Sequence, residues 1–453
     1  MNLHVLESRL DKEESEMNSK EIFNFLVGKF EEQNIEYVIL HSYQNLPERF
    51  DSDIDIAINV EKIVDAIELL DKLLNPTGWR VVQYWRHEYY AADCVISNDK
   101  EFLQVDFCTH YERNGRVVLP IQELVRGRRK YNNFYIPATE TEFAYILVKK
   151  ILKKKFSDGS KGQLTALWNS MSEQEHQVVR QSLLRFLSEN QFESITSRIC
   201  MGDYDSIDVD SAYKELLRKT SDFKANLHYV VFDIARKIER ILHPTGVFVV
   251  LLGVDGAGKT TIAEELKARS TVAYRRIKHY HSRVRVLKDI SQIKSGSAPI
   301  DASNPHGNKR KSGKVTSVIK FGYYLLDFLI GNVIITKAKI QSSLVLIERY
   351  YYDYYIDKVR YNLNLSEDFI KAFGHLVKKP DVVFILTGDS QILYERKHEI
   401  SVEEIEEQKN RFLEVFKDNP KVVFIDTTVN SIDKCVDIML KKNNDVMRGR
   451  RKW

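Results

Sequence analysis

The first 136 residues combine the alternating pattern of strands with one helical period. Five short runs have the apolar content or alternation typical of strands, and they lie at residues 37–42, 53–59, 79–85, 89–97 and 102–110. Between them, residues 60–74 have the period of an amphipathic helix, which Pro76 and Gly78 should end. The pattern predicts an α+β domain over residues 1–136.

Residues 137–243 have helical periodicity and no convincing strand pattern. Thr139 and Glu142 stand ahead of an apolar run with the spacing of a capping box, which predicts a helix that begins there. Pro244 and Gly246 should stop the last helix of the segment. We therefore predict a helical bridge between two domains.

Residues 244–453 differ because their strand patterns are continuous apolar runs. These runs lie at residues 247–253, 343–348, 381–387 and 421–427, with helical patterns between them. Strands that are apolar on both faces belong to a parallel sheet covered by helices on both sides. The complete chain is thus predicted to be a multidomain α/β protein with a parallel sheet in its third domain.

One apolar run of the third domain, residues 321–336, needs separate consideration. It has 16 residues and contains Asp327. A membrane-spanning helix needs roughly 20 apolar residues. The run therefore predicts a buried core helix, and we expect no membrane partner.

The composition is that of a globular protein. Of the 453 residues, 43% are hydrophobic and 29% are charged, which argues against wholesale disorder. The formal net charge of +4 is too balanced to indicate nucleic acid as a partner. The four cysteines lie far apart, and the N-terminal residues carry charges where a secretion signal would be apolar. We expect a cytoplasmic location.

The strongest motif is GVDGAGKT at residues 253–260, which matches the phosphate-binding P-loop pattern GxxxxGK[ST]. Glycines let backbone N–H groups curl around phosphate oxygens, and the N-terminus of the following helix adds partial positive charge. Lys259 should reach the β- and γ-phosphates of ATP, and the Thr260 hydroxyl should bind Mg²⁺. The predicted nucleotide-binding residues are Gly253, Asp255, Gly256, Ala257, Gly258, Lys259, Thr260 and Thr261.

Two other places supply charge for the same chemistry. Glu348 ends the strand pattern at residues 343–348, and an acid at the open end of a parallel sheet is a candidate Mg²⁺ ligand. Arg396 and Lys397 lie at a break between two helical patterns, where a mobile lid could bring cations to a transferring phosphoryl group. Ser401 and Glu404 predict a capping box for the helix after that break.

These motifs occur in the order seen in one family. GVDGAGKTT, the ERY triplet at residues 348–350 and PDVVFILTGDSQILYERK after it resemble the thymidylate kinase-like branch of P-loop nucleoside monophosphate kinases, over most of residues 247–430. The resemblance implies catalytic roles for Lys259 and Glu348, with ATP and Mg²⁺ as cofactors. It implies that Arg349 grips the acceptor's phosphate and that Arg396 and Lys397 are lid cations. Kinases of this family are often dimers, so a homodimer is also expected.

Two segments depart from that family. A tyrosine-rich stretch at residues 350–361 replaces its usual nucleobase segment, and residues 278–317 are also unlike it. The acceptor is therefore expected to be a nucleotide or another phosphorylated small molecule, which need not be dTMP. The alternative from another class is a nucleotide-dependent switch or binding module, whose tyrosine-rich segment would contact a protein partner.

The segment from residue 278 also contains two arginines and two histidines that are considered as ligand contacts. Arg283 and Arg285 are candidate anion contacts, weighed against ordinary exposed basic residues. His279 and His281 have metal-like spacing, but the sequence shows no companion ligand for them. We interpret the two histidines as ordinary residues without a metal.

A weaker motif lies in the first domain. The period of two in residues 53–59 sends Asp53 and Asp55 to one face of a strand and the isoleucines to the core. Asp106 lies on the polar face of a later strand and can join the pair. Carboxylates on one side of a sheet can bind the metal ions that phosphoryl or nucleotidyl transfer requires. We predict Asp53, Asp55 and Asp106 as metal ligands.

The order of elements around these acids, over residues 35–125, resembles the nucleotidyltransferase (polymerase β-like) superfamily. His41 and Ser42 stand where that family usually has Gly-Ser or Gly-Gly. The resemblance leaves three readings: active nucleotidyl transfer, a substrate-binding but inactive relative, and a structural role. The nearby basic stripe, Lys149, Lys150 and residues 153–155, is predicted to be a solvated helix face, with attraction of an anionic substrate as its alternative.

Overall fold

The computed structural model describes residues 17–113, 115–220, 223–287 and 313–450. The chain divides into two compact units: the first ends at Ile238, and the second begins at Glu239 and also includes Asp99–Phe102. Residues 137–238 of the predicted helical bridge thus lie in the first unit. Residues 288–312 of the predicted acceptor segment lie outside the described residues.

A five-stranded mixed sheet is the centre of the first unit. Its strands are β1 (Tyr37–Ile39), β2 (Ile54–Ile58), β3 (Arg80–Glu88), β4 (Ala91–Ser97) and β5 (Phe102–Cys108). Their order is β1-β2-β5-β4-β3, with β1 antiparallel and β5 parallel to β2. The five predicted strands are confirmed. The helix predicted over residues 60–74 is present and begins at Ile63, three residues later than predicted.

Shorter elements complete the α+β part. They are α1 (Ser19–Glu32), α2 (Ile63–Leu74), a 3₁₀ turn (Asn75–Thr77), the hairpins β6 (His110–Arg113) with β7 (Arg116–Pro120) and β8 (Arg129–Tyr131) with β9 (Phe134–Ile136), and α3 (Ile121–Val125). Along β2, Ile54 and Ile56 are buried in the core that α1 and α2 share with the sheet, which confirms the predicted alternation.

Six helices follow in the first unit and across its boundary: α4 (Thr139–Lys153), α5 (Asp158–Ser170), α6 (Glu173–Leu183), α7 (Glu189–Met201), α8 (Val209–Lys219) and α9 (Phe223–Leu242). The predicted capping box at α4 is wrong. Glu142 is fully buried and accepts hydrogen bonds from the Tyr43 hydroxyl (2.8 Å), Arg129 (2.6 Å) and Gln163 (2.8 Å). A buried carboxylate needs several donors, so these tertiary partners replace the local backbone bond.

The second unit contains a parallel sheet, as predicted, which has five strands among the described residues, one more than the four predicted. Its strands are β10 (Val247–Gly253), β11 (Arg276–Tyr280), β12 (Ser343–Glu348), β13 (Val382–Thr387) and β14 (Val422–Asp426), in the order β11-β12-β10-β13-β14. Every residue of β12 is buried, which requires cover on both faces. The sequence did not predict β11, because this edge strand is largely polar and half-exposed.

The helices of the second unit are α10 (Lys259–Arg269), α11 (Lys314–Ile340), α12 (Asp353–Ile356), α13 (Lys358–Tyr361), α14 (Glu367–Ala372), α15 (Ser390–Arg396), α16 (Val402–Phe416) and α17 (Ile432–Arg448), with a 3₁₀ turn at Gly374–Leu376. Ser401 and Glu404 form the predicted capping box at the start of α16. Asp381, just before β13, accepts a hydrogen bond from the Phe248 N–H (2.8 Å) and pairs with Lys339 and Arg450.

Helix α11 contains the apolar run considered above. By length and composition alone it is able to cross a membrane, and 28% of its most apolar stretch is buried. Phe321 and Phe328 are buried, whereas Ile319 and Val333 are each 69% exposed. The prediction of a buried core helix therefore holds for one face of α11 and is wrong for the other.

Candidate active sites

The P-loop connects β10 to α10 in the predicted strand–loop–helix arrangement. Gly253, Gly256 and Gly258 have φ angles of 143°, 83° and 75°, which side chains other than glycine adopt at a cost. A Cβ on Gly253 would collide with the Leu386 carbonyl, and one on Gly256 with the Leu393 carbonyl. Backbone angle and lack of space therefore both require glycine at these two positions.

Lys259 lies buried beneath this loop. Its ammonium donates hydrogen bonds to the carbonyls of Gly253 (2.9 Å) and Val254 (2.8 Å). Burial, together with the charge of Arg349, lowers the pKa of the Lys259 ammonium to about 7. Phosphate oxygens are stronger partners for an ammonium than neutral carbonyls are, so a bound phosphate would compete for this side chain.

The predicted Mg²⁺ ligands lie together. Glu348 ends β12, next to β10, and its Oε2 accepts a hydrogen bond from the Thr260 hydroxyl (2.9 Å). Carboxylate and hydroxyl oxygens suit Mg²⁺, which usually takes one or two protein ligands besides substrate phosphates and water. The two residues therefore fit the ion. The other oxygen, Oε1, lies 2.8 Å from Nε2 of His279 and 3.1 Å from Nδ1 of His281.

Asp255 in the loop holds two arginines. Its Oδ1 is 2.5 Å from a guanidinium nitrogen of Arg349, and its Oδ2 contacts Arg360. Although burial opposes it, the charges of Arg349, Lys259 and Arg360 hold the pKa of Asp255 well below its usual range. Arg349 has a left-handed backbone (φ 61°). Arg360 was not among the predicted site residues, because it lies on a short helix beyond the ERY triplet.

Arg396 and Lys397, the predicted lid cations, contact protein groups outside the P-loop. Arg396 donates to the carbonyl (3.0 Å) and hydroxyl (3.3 Å) of Thr427, and Lys397 pairs with Glu399 at 2.9 Å. Helix α15, which ends at Arg396, reaches the P-loop through the Leu393 carbonyl beside Gly256. The structure thus brings the helix to the loop, while both cations bind elsewhere.

Two other expectations for this unit are corrected. Arg283 is 4% exposed and pairs at 3.1 Å with the fully buried Asp327, so it belongs to a core ion pair. Tyr350, Tyr351 and Tyr354 are at most 4% exposed. These three rings pack around Phe328 of α11, and they are therefore not available as the partner surface that the switch alternative needs.

The first unit brings its three predicted acids together. In the parallel register of β2 and β5, Asp55 lies directly opposite Asp106. Asp53, Asp55 and Asp106 each place a carboxylate oxygen within 4.8 Å of the other two. Burial, the charge of Asp93 and a hydrogen bond with Asp53 raise the pKa of the Asp106 carboxyl to about 10. A cation bound among these acids would offset the repulsion between their negative charges.

Two basic side chains border the acidic cluster. Nε2 of His41 lies 2.7 Å from Asp55 and 2.6 Å from the Lys149 ammonium. Burial lowers the pKa of Lys149. The prediction of a solvated face is therefore wrong for this lysine, although Lys153 and Lys154 are exposed. Ser42, where the resembled family has glycine, has a left-handed backbone with a φ of 58°.

No protein-family model matches the chain. A probable thymidylate kinase from Methanocaldococcus jannaschii is 27% identical over 196 residues, which are 41% of this chain and 90% of that relative. The crystal structure of thymidylate kinase from Ehrlichia chaffeensis is 20% identical, with a TM-score of 0.29, and the match covers 44% of this chain and 98% of that one. The sequence similarity supports a kinase-like part in this chain. The nucleotidyltransferase resemblance of the first unit stays a prediction.

Proposed function

We propose that the second unit is an ATP- and Mg²⁺-dependent kinase that phosphorylates a small molecule already carrying a phosphate, most simply a nucleoside monophosphate. The observation that carries this proposal is the convergence of three groups at one end of adjacent strands β10 and β12. These are the P-loop with Lys259, the Thr260–Glu348 pair, and the two arginines on Asp255.

The P-loop backbone and Lys259 would bind the phosphates of ATP. The buried lysine would leave the carbonyls of its own loop and take phosphate oxygens as partners. Thr260 and Glu348 would hold Mg²⁺, which neutralises phosphate charge when bound. Because phosphoryl transfer needs little covalent help from the protein, positioning and charge neutralisation supply the catalysis.

Arg349 and Arg360 would bind the phosphate of the acceptor. Two guanidinium groups suit an oxyanion, since each presents a planar set of donors. Asp255 keeps both arginines beside the P-loop until that phosphate arrives. No P-loop residue is an arginine, so Arg396 and Lys397 would provide additional charge after leaving Thr427 and Glu399.

The test is ATP consumption with Mg²⁺ against a panel of nucleoside monophosphates and sugar phosphates. We expect one acceptor to stimulate turnover, and Lys259→Ala to abolish the stimulation. Lys434→Ala, at an exposed position of α17, is the matched control and should be fully active. ATP binding without stimulation by any acceptor would contradict the kinase proposal and favour the switch.

A second candidate function belongs to the first unit. The convergence of Asp53, Asp55 and Asp106 supports metal-dependent nucleotidyl transfer, since carboxylates from neighbouring strands can hold the ions such chemistry uses. The two activities would then act in sequence on one metabolite. The Asp53→Ala/Asp55→Ala variant should lose the nucleotidylated product. If it retains every product of the wild type, the first unit is an inactive relative or a structural domain.

A further inference from the structure

We propose that His279, His281 and Glu348 form a binding site for a divalent transition-metal ion of the Zn²⁺, Co²⁺ or Fe²⁺ class. One nitrogen of each imidazole and one carboxylate oxygen lie within 4.8 Å of one another. Two histidines and a carboxylate are a ligand set for such ions in catalytic sites that keep positions open for substrate or water. Mg²⁺ prefers oxygen ligands, so this site differs from that of the nucleotide-associated ion.

The two oxygens of Glu348 face different partners. Oε1 lies 2.8 Å from Nε2 of His279 and 3.1 Å from Nδ1 of His281. Oε2 accepts the hydrogen bond of Thr260. Glu348 is therefore able to serve the histidine site with one oxygen and the P-loop with the other. A transition-metal ion here would lie beside the phosphates bound in the proposed kinase.

The surroundings of His279 support a ligand role. Its other nitrogen, Nδ1, lies 3.2 Å from Oε1 of Glu264 on α10. A carboxylate on the second nitrogen fixes the tautomer and orientation of a metal-binding histidine, and it raises the basicity of the nitrogen that binds the metal. His279 is 10% exposed, whereas His281 is 66% exposed and leaves the site open to solvent.

The sequence could not indicate this site because its third ligand is distant in the chain. His279 and Glu348 are 69 positions apart, and the pairing of β11 with β12 brings them together. In that register His279 lies opposite Leu346, and Tyr280 opposite Ile347. The strand ends therefore place His281 beside Glu348.

Titration of the full-length protein with Co²⁺, in the absence of nucleotide, tests the proposal. Visible absorption reports imidazole ligation, and competition with Zn²⁺ gives the relative affinities. The experiment is done in an Asp53→Asn/Asp55→Asn background, so that the acidic cluster of the first unit does not contribute. We expect one Co²⁺ per chain, which a large excess of Mg²⁺ does not displace.

The variants separate ligation from hydrogen bonding. His279→Ala and His281→Ala should each weaken Co²⁺ binding by at least about tenfold, and Glu264→Gln by about 10- to 100-fold. His375→Ala, at an exposed histidine elsewhere in the unit, is the control and should bind normally. Lys259→Ala should also bind Co²⁺ normally, since this site does not require kinase activity.

Equal Co²⁺ affinity in the wild type and the His281→Ala variant would overturn the proposal. His281 is exposed, so its replacement should not prevent folding, and circular dichroism checks this. In that outcome the two histidines are hydrogen-bond partners that orient Glu348 for the P-loop, without a metal of their own.

Discussion

The two candidate sites of this chain collect charges of opposite sign. In the second unit, Lys259, Arg349 and Arg360 gather around the carboxylate of Asp255, and Asp357 also pairs with Arg360. In the first unit, three carboxylates gather beside His41 and Lys149. Cations in the first arrangement suit phosphate, and acids in the second suit a metal ion. In both sites, the clustered charges pair with side chains of opposite charge from the same chain.

The sites also differ in how the chain builds them. The P-loop is contiguous, and packing against the carbonyls of Leu386 and Leu393 fixes its shape. The acidic cluster depends on the pairing of two strands that are far apart in sequence. A contiguous site can therefore be identified from a motif, whereas a site built by strand pairing needs the register as well.

The largest expected effect separates the two sites by activity. Lys259→Ala should reduce acceptor-dependent ATP turnover by about 1000-fold, because it removes a preorganised charge from the phosphate site. The Asp53→Ala/Asp55→Ala variant should keep that turnover. Steady-state kinetics with the stimulating acceptor measures both. Comparable losses in the two variants would mean that the sites work as one.

The next effect concerns the ion pairs of Asp381 with Lys339 and Arg450 in the second unit. Asp381→Asn should destabilise this unit by about 3 kcal/mol at pH 7, because Lys339 and Arg450 lose a charged partner whose side chain is only 14% exposed. Although burial opposes it, the charges of Arg450 and Lys339 lower the pKa of Asp381. The stability advantage of the wild type over Asp381→Asn should therefore shrink as the pH falls below about 3.9, the pKa of an aspartate in the unfolded chain.

Urea unfolding at pH 7 and at lower pH measures this difference. Asp418→Asn, at an exposed position, is the control and should have no effect at either pH. A gap between Asp381→Asn and the wild type that does not narrow in acid would show that the carboxylate charge is not its origin.

A smaller effect tests whether packing fixes the P-loop. The Cβ of an alanine at position 258 would meet no atom within 4 Å, so its only cost is the left-handed backbone angle. At position 256 the Cβ would also collide with the Leu393 carbonyl. We expect a loss of about 1 kcal/mol for Gly258→Ala and about 2 kcal/mol or more for Gly256→Ala. Thermal unfolding monitors both variants. Equal losses would contradict a loop that is fixed by α15.

The last effect concerns binding of the acceptor rather than stability. Asp255→Asn should raise the KM for the acceptor about tenfold, or about 1.4 kcal/mol, since Arg349 and Arg360 lose the carboxylate that orients them. The KM for ATP should change less. Saturation kinetics with each substrate distinguishes the two constants. A change confined to the KM for ATP would assign the arginines to the nucleotide.

Much of this architecture could be predicted from periodicity and one motif. The runs at residues 247–253 and 343–348 are apolar without interruption because their strands are buried on both faces. The alternation correctly predicted that Asp55 lies between buried isoleucines of β2 and that Asp53, just before the strand, joins it in the acidic cluster. Such features depend on near neighbours in sequence, and local patterns record them well.

Three of the errors share a physical cause, which is that tertiary partners outweighed local patterns. Glu142 has the spacing of a helix cap, but it binds Tyr43 and Arg129 instead. Lys149 is part of a basic stripe, but it is half-buried and contacts His41. Arg283 resembles an anion contact, and Asp327 binds it in the core. Their partners come from other elements, so no local pattern identifies them.

The parallel register of β2 and β5 has a consequence for how this chain tolerates insertions and deletions. A one-residue insertion inside β2 would turn its carboxylates into the apolar core, because alternate residues point to opposite faces. The turn at Asn75–Thr77, between α2 and β3, has no such restriction, and longer loops cost little free energy. In homologues that keep the acidic cluster, we expect length variation beside the Asn75–Thr77 turn and none between Ile54 and Ile58.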